Sequence, residues 1–466
     1  MNAAASPGQA LSQILQSVGW NGIPTAHVAF TGADPVLRTN FAVGTAGAAA
    51  IAAAGLAAAD LWELRTGRRQ NVAMNVRTAA MVMRGSIYTQ LIGKTQPPAW
   101  DPISGLYATA DGRWIQLHCN YPHHRAGALK VLGCNEDRDN VVRAIAGWDG
   151  LALEDAMTDA GMVAALSRTA AEWDAHPHSR HVDQMLLMSI TQIGDSAPEL
   201  LRQGTRPLSG IRALDLTRVL AGPTCGRTLA EHGADVMRIS APHLPFIEQL
   251  VMDTGHGKLA AHVDLRSDVG RDALKQLIRG ADIFAQGYRP GTLAARGFSA
   301  EALAQLRPGI VCVSLSAYGE DGPWGGKRGF DTLVQGVTGI TVEQGGAARP
   351  AHLPVSVLDY ASGYLMAFGA MAALGRRARR GGSYHVRVSL VQTAHWLKRL
   401  GRVSGAAVKA DALSPDDPAV APHLMEGDTP FGRLRHLAPA IELSETPPFW
   451  ARSVVPLGTH APVWPV

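Results

Sequence analysis

One pattern in this chain occurs twice, and it restricts the fold more than any other feature. Residues 53–76, AAGLAAADLWELRTGRRQNVAMNV, and residues 367–390, AFGAMAALGRRARRGGSYHVRVSL, each pass from a helix of small residues through an Arg-rich turn into an alternating strand. Setting Gly67 on Gly381 also aligns Gly55 with Gly369 and places Thr45 opposite Asp359. The chain therefore repeats a helix-turn-strand unit, and the first copy lacks the carboxylate of the second. Residues 41–62, FAVGTAGAAAIAAAGLAAADLW, are long enough to raise the question of a membrane span. Ala and Gly are only weakly apolar, so the stretch reads as a tightly packed buried helix instead.

A length of 466 residues exceeds one ordinary core and suggests two or three domains. With 46% hydrophobic and 18% charged residues, the chain reads as globular and soluble. The formal net charge of +4 is too mild to argue for nucleic acid, although local Arg clusters suit a phosphate-bearing small molecule. Cys119, Cys134, Cys225 and Cys312 are far apart and show no ligand spacing, so they read as reduced thiols of a cytoplasmic protein. The N-terminus, MNAAASPGQALSQ, has no basic region followed by an apolar core, so no secretory signal is expected. His118, His123, His124, His176, His178 and His181 follow no ligand pattern and are expected in loops and at the surface, with no metal bound.

The chain divides between residues 196 and 208, within GDSAPELLRQGTRPLSGIRALDL, where a polar link gives way to an apolar strand. Three parts are expected: 1–205, 206–400 and a Pro-rich, loop-like tail 401–466 that drapes over the body or a partner subunit. In the second part GIRALDL, ADVMRIS, ADIFAQGY and PGIVCVSLSAYG read as strands alternating with helices. That alternation predicts an α/β fold with a Rossmann-like parallel sheet. The loop at 217–224 is not GxGxxG, so a dinucleotide fingerprint is absent. In the first part DPISGLYATADGRWIQLHCN reads as a hairpin turning at Asp111 and Gly112, within a smaller α+β domain.

PVSVLDYASGYLMAFGAMAAL, residues 354–374, sets Asp359 between β-branched residues and a helix-like stretch. Aspartate is a favoured N-cap, and the same helix start would keep a carboxylate ionised. An ionised, partly dehydrated carboxylate is a nucleophile.

Four segments resemble the class III (CaiB/BaiF-type) CoA transferase family: LSGIRALDLTRVLAGPTCGRTLAEHGADVMRIS, GKLAAHVDLRSDVGRDALKQLIRGADIFAQGYRPGTLAARGF, SLSAYGEDGPWGGKRGFDTLVQGVTG, and the stretch ending in Asp359. They follow the family order from residue 208 to about 395, while the first part is similar to a later portion of a family member, placed ahead. The resemblance implies a permuted order of the two domains. It implies an enzyme that moves CoA from an acyl-CoA to a carboxylic acid, with Asp359 passing through a mixed anhydride and an aspartyl-CoA thioester. CoA is then a substrate and no cofactor is bound permanently. By the same resemblance Arg218, Val219, Ala221, Arg266, Tyr288 and Arg328 would bind CoA, Asp331 would cap or orient structure, and Gln335 would pack or hydrogen-bond. An interlocked homodimer is implied as well. Small residues around Asp359, namely Ala361, Ser362 and Gly363, are expected to let the thioester approach.

Departures from the family pattern are Ser240 in place of a Glu, Gln286-Gly287-Tyr288 in place of an ENF-type segment, and Ala295 followed by Arg296 where an Arg precedes. Two other readings compete: a catalytically silent acyl-CoA-binding paralogue or hetero-oligomer subunit, and a 2-methylacyl-CoA racemase. The racemase needs a His before the Asp of GFD, where this chain has Phe330.

Overall fold

The computed structural model describes residues 4–20, 27–95, 98 and 100–465. Its centre is a pair of 24-residue helices, Val43–Thr66 and Val357–Arg380, packed along each other. Both are long and apolar enough to cross a membrane, yet nearly all of each is buried inside the protein. Their small residues explain the packing. A Cβ on Gly55 would lie 2.9 Å from Ile441 Cγ1, and one on Gly369 would lie 2.4 Å from Val386 Cγ1. The aligned glycines are thus both places where another segment crosses a helix closely. Gly67 and Gly381 both end their helices at positive φ, 72° and 73°.

The repeat is larger than the sequence echo. Strand β1 (Val28–Thr31) precedes the first helix and β2 (Val72–Asn75) follows it, paired in parallel. Around the second helix, β12 (Val311–Ser316) and β13 (Ser383–Ser389) do the same. A further helix follows each unit, Val76–Val82 capped by the Asn75 side chain and Leu390–Arg399 capped by that of Ser389. The two units also exchange strands. β7 (Met188–Gly194), from the first part, pairs antiparallel with β13, while β16 (Glu442–Leu443), from the tail, pairs antiparallel with β2.

The second unit extends into a seven-stranded sheet of order β10-β9-β8-β11-β12-β13-β7, parallel except for β7. Here β8 is Arg212–Leu216, β9 Asp235–Ser240, β10 Lys258–His262 and β11 Ile283–Gln286. The protein is therefore a mixed α/β structure. From β8 the chain winds outward through β9 and β10, then returns to β11 and winds the other way. The reversal between β8 and β11 opens a crevice at the carboxyl ends of the strands, the usual ligand position in such sheets.

A smaller lobe is built from β4 (Gly105–Ala108), β5 (Trp114–Leu117) and β6 (Ala164–Leu166), with helices Pro122–Leu132, Arg138–Ile145 and Gly150–Asp159. The expected hairpin is there, with Gly112 at φ 74° in its turn. This lobe has its own core around Tyr107, Ile115 and Leu153, whereas the two long helices share a single core that runs through both parts of the chain.

Two expectations are corrected. The tail is not loop-like throughout: β14 (Leu424–Thr429) and β15 (Gly432–Leu437) form a hairpin that pairs with β3 (Gln90–Leu91). Its outward positions carry Glu426, Arg433 and Arg435, which pair with one another, so no apolar run announces the strands. The histidines of the first part are not all at the surface. His118, His124 and His178 are only 6%, 4% and 0% exposed. His118 stacks on Phe330 at 4.1 Å, and His178 Nε2 lies 2.8 Å from the Tyr318 carbonyl oxygen. Burial pushes the His118 ring down to about 4 and that of His124 to about 3, so both pack as neutral rings near pH 7. Among the described residues no group of three metal-ligating side chains stands together.

Candidate active site

A cavity of about 400 Å³ fills the crevice between β8 and β11, and Asp359 lines it. The loop after β8 supplies Arg218, Val219 and Ala221; the segment after β11 supplies Tyr288 and Arg289. The loop 317–330 adds Lys327, Arg328 and Phe330, and the small lobe closes the site with Tyr121, His123 and His124.

The β8 loop is shaped by backbone strain. Val219 has φ 71°, a conformation that a β-branched residue adopts at a cost of about 1–3 kcal/mol. The helix that follows, Ala221–Glu231, has no side-chain cap on its first turn. Its leading N–H groups at the cavity suit an anionic ligand or a developing oxyanion. Gly222 is required here, because a Cβ would meet Thr217 Cβ at 2.2 Å. Arg218 donates to the Pro245 carbonyl and lies 5.1 Å over the Tyr121 ring, which holds its guanidinium at the rim.

Asp359 is the third residue of its helix, and not the N-cap. The cap comes from Asp331, whose Oδ2 accepts the N–H of Leu358 at 2.9 Å and that of Asp359 at 3.0 Å. Gln335 Nε2 donates to the other Asp331 oxygen at 2.5 Å, while Gln335 Oε1 accepts the Leu353 N–H at 2.9 Å. The Asp359 carboxyl itself receives no hydrogen bond among the described residues, and is 7% exposed. Burial, and then the charge of Asp331, hold it well above the ordinary carboxylate range. The helix start was expected to keep this group ionised; desolvation outweighs that dipole here.

The small residues after Asp359 serve packing instead of substrate approach. Ala361 is buried in the core, and Ser362 Oγ lies 2.7 Å from Thr393 Oγ1. A Cβ on Gly363 would sit 2.4 Å from the Ala221 carbonyl oxygen. These contacts bring the two helices that frame the cavity together.

Of the residues marked from sequence, Arg218, Val219, Ala221, Tyr288, Arg328 and Asp359 share this cavity. Arg266 stands apart: it is bidentate to Asp264 and lines an adjoining hollow of about 90 Å³ with His243, Tyr288 and Arg296. Arg296 thus reaches that hollow although Ala295 holds the position expected for an Arg. Arg328 Nη1 bonds His124 Nε2 at 2.9 Å, and Tyr288 N–H donates to Gln286 Oε1 at 2.8 Å.

Reasoning from sequence missed Tyr121, His123, His124, Arg289 and Lys327. The last two adjoin the marked Tyr288 and Arg328, a neighbourhood that could have flagged them. Lys327 Nζ is 3.2 Å from Glu154 Oε1, and Glu154 also holds Arg168 at 2.5 Å. This buried trio ties the 317–330 loop to the small lobe.

The sequence model for "CoA-transferase family III" matches residues 13–200 and again 208–401. The chain belongs to CoA-transferase family III. Its curated relatives include "Acetyl-coenzyme A transferase nodX" of Hypoxylon pulicicidum, 30% identical over 64% of this chain and 54% of that one. Another is the succinate-glutarate CoA-transferase of Agrobacterium fabrum, 32% identical over 40% of this chain and 51% of that one. This chain spans about half the length of each of these two relatives. A crystal structure of a hypothetical protein from Mycobacterium tuberculosis is similar at 31% identity and TM-score 0.40, covering 42% of this chain and 58% of the other. In this family member the two matched segments meet where the polar link near residue 205 joins the two halves.

Proposed function

We propose that this family III chain transfers CoA from an acyl-CoA to a carboxylic acid, with Asp359 as the nucleophile. A carboxyl group that receives no hydrogen bond among the described residues, facing a cavity whose rim carries Arg218, Arg289 and Arg328, carries the reading. An Asp359 oxygen attacks the thioester carbonyl, the C–S bond breaks, and CoA leaves as thiolate with the acyl group held as a mixed anhydride. The thiolate then attacks the Asp359 carbonyl carbon and releases the donor acid, leaving an aspartyl-CoA thioester. The acceptor carboxylate attacks that thioester, and the freed thiolate takes the acceptor acyl group, restoring the Asp359 carboxylate. N–H groups at the start of helix Ala221–Glu231 would support the oxyanions, and Tyr121 and Phe330 would keep water from the anhydride. The rim cations suit the CoA phosphates.

The racemase reading lacks its His at position 330, where Phe330 stands, and the His118 stacked on that ring does not line the cavity. We further propose a cytoplasmic homodimer. Each chain would contribute a whole site, because Asp359 and the lobe that covers it belong to one polypeptide.

Incubation with a panel of acyl-CoAs, followed by mass spectrometry of the peptide around residue 359, tests the reading. A hydroxylamine-sensitive acyl or CoA adduct on Asp359 supports it; CoA binding with no adduct and no exchange would favour the silent paralogue.

A further inference from the structure

We propose that Asp331 is a positioning residue for the transfer reaction, its carboxylate fixing the first turn that carries Asp359 while holding negative charge beside the nucleophile. This rests on the reading of Asp359 given above. Three donors converge on Asp331: the Leu358 and Asp359 N–H groups and Gln335 Nε2. These donors favour charge on Asp331, although burial still pushes it up to about 6, whereas no donor among the described residues meets the Asp359 carboxyl, so the pair favours a proton on Asp359.

The molecule contains its own comparison. At the repeat-related helix start, Asp34 Oδ2 accepts the Thr45 N–H at 2.7 Å and Oδ1 accepts that of Gly44 at 3.3 Å. An acid earlier in the chain thus caps each long helix at the same turn, Asp34 from a loop and Asp331 from the first residue of the helix Asp331–Val337. In the first copy a threonine stands where the second has Asp359, so no carboxyl pair arises there. Capping is the shared structural duty, and the charge placed beside a second carboxyl is particular to the cavity.

Other groups facing Asp359 are Tyr121 from the small lobe, whose phenol feels the Asp359 charge, and the cations of the rim. His123 and His124 line the cavity and are held below the ordinary histidine range by burial and by nearby cations. Behind the helix start, the Tyr360 hydroxyl donates to Asp253, which is paired with Arg227. None of these replaces Asp331 as the neighbouring anion. Asp359 must release this proton to solvent water before its oxygen attacks the thioester, and the cations lining the cavity favour that release.

The test compares the native chain with Asp331→Asn and Asp34→Asn. Two readouts are taken against pH: the CoA-transfer rate, and labelling of Asp359 in the resting protein by a carbodiimide, which reacts with the protonated acid, followed by peptide mapping. Asp331→Asn should move the acid limb and the labelling midpoint to lower pH by about one unit. Asp34→Asn should move neither. Because the Asn amide would face Gln335 Nε2, Asp331→Ser, smaller and uncharged, is the second variant, with thermal melting confirming the fold. An unchanged midpoint in a folded Asp331 variant, or an equal shift in Asp34→Asn, overturns the proposal. The labelling readout needs no turnover, so a failure of the transferase reading leaves the charge coupling separately measurable.

Discussion

At Asp359 the fold holds a carboxyl where ionisation is unfavourable, through burial and then through Asp331. An acid raised in the folded state binds its proton more tightly there than in the unfolded chain. Its contribution to stability is therefore present at low pH and lost as pH rises above the ordinary carboxylate value. Asp359→Asn should abolish transfer and melt about 1–3 °C higher than the native protein at pH 8, with the difference closing toward pH 4. Calorimetry at the two pH values checks this; a variant less stable at pH 8 would contradict it. At the rim, Arg218→Ala should weaken acyl-CoA binding by about tenfold or more in isothermal titration. Arg266→Ala should matter less, since its guanidinium is already engaged with Asp264 in an adjoining hollow. Motif order made Arg218, Tyr288, Arg328 and Asp359 legible as residues. It could not separate Arg266 from the main cavity, because that depends on which side chains Asp264 and Tyr288 meet in space.

Among the elements, the helix that carries Asp359 and the one that begins at Ala221 are set by a near-contact at Gly363. Gly363→Ala would force a Cβ against the Ala221 carbonyl oxygen and Thr224, so the helices must part. A loss of about 1–3 kcal/mol is expected in denaturant unfolding, together with slower transfer as the oxyanion N–H groups shift. Glu154→Gln removes the common partner of Arg168 and Lys327, and leaves two buried cations without it. A destabilisation of about 3–5 kcal/mol is expected, with a raised KM for acyl-CoA as the 317–330 loop loosens from the small lobe. The strands of the second part were legible because parallel buried strands read as apolar runs between helices. The hairpin at 424–437 was not, because its charged outward positions and neighbouring prolines resemble a loop.

Across the whole molecule, two repeat units bury their long helices against each other and exchange β7 and β16. Neither half can unfold without exposing the apolar face of the other. Calorimetric unfolding of the full chain should therefore give one transition for the shared core, and a separate one only for the small lobe, which has its own core. The repeat, the wound sheet, the doubtful membrane span and the position of a carboxylate at a helix start all lay in the sequence, since each follows from local pattern and spacing. Which parts meet did not. Tertiary structure alone decided that the small lobe of the first copy covers the carboxylate of the second, that the buried His124 lines that cover, and that Asp331 stands beside Asp359. Those outcomes depend on long-range packing and desolvation, which arise when segments far apart in the chain exclude water together.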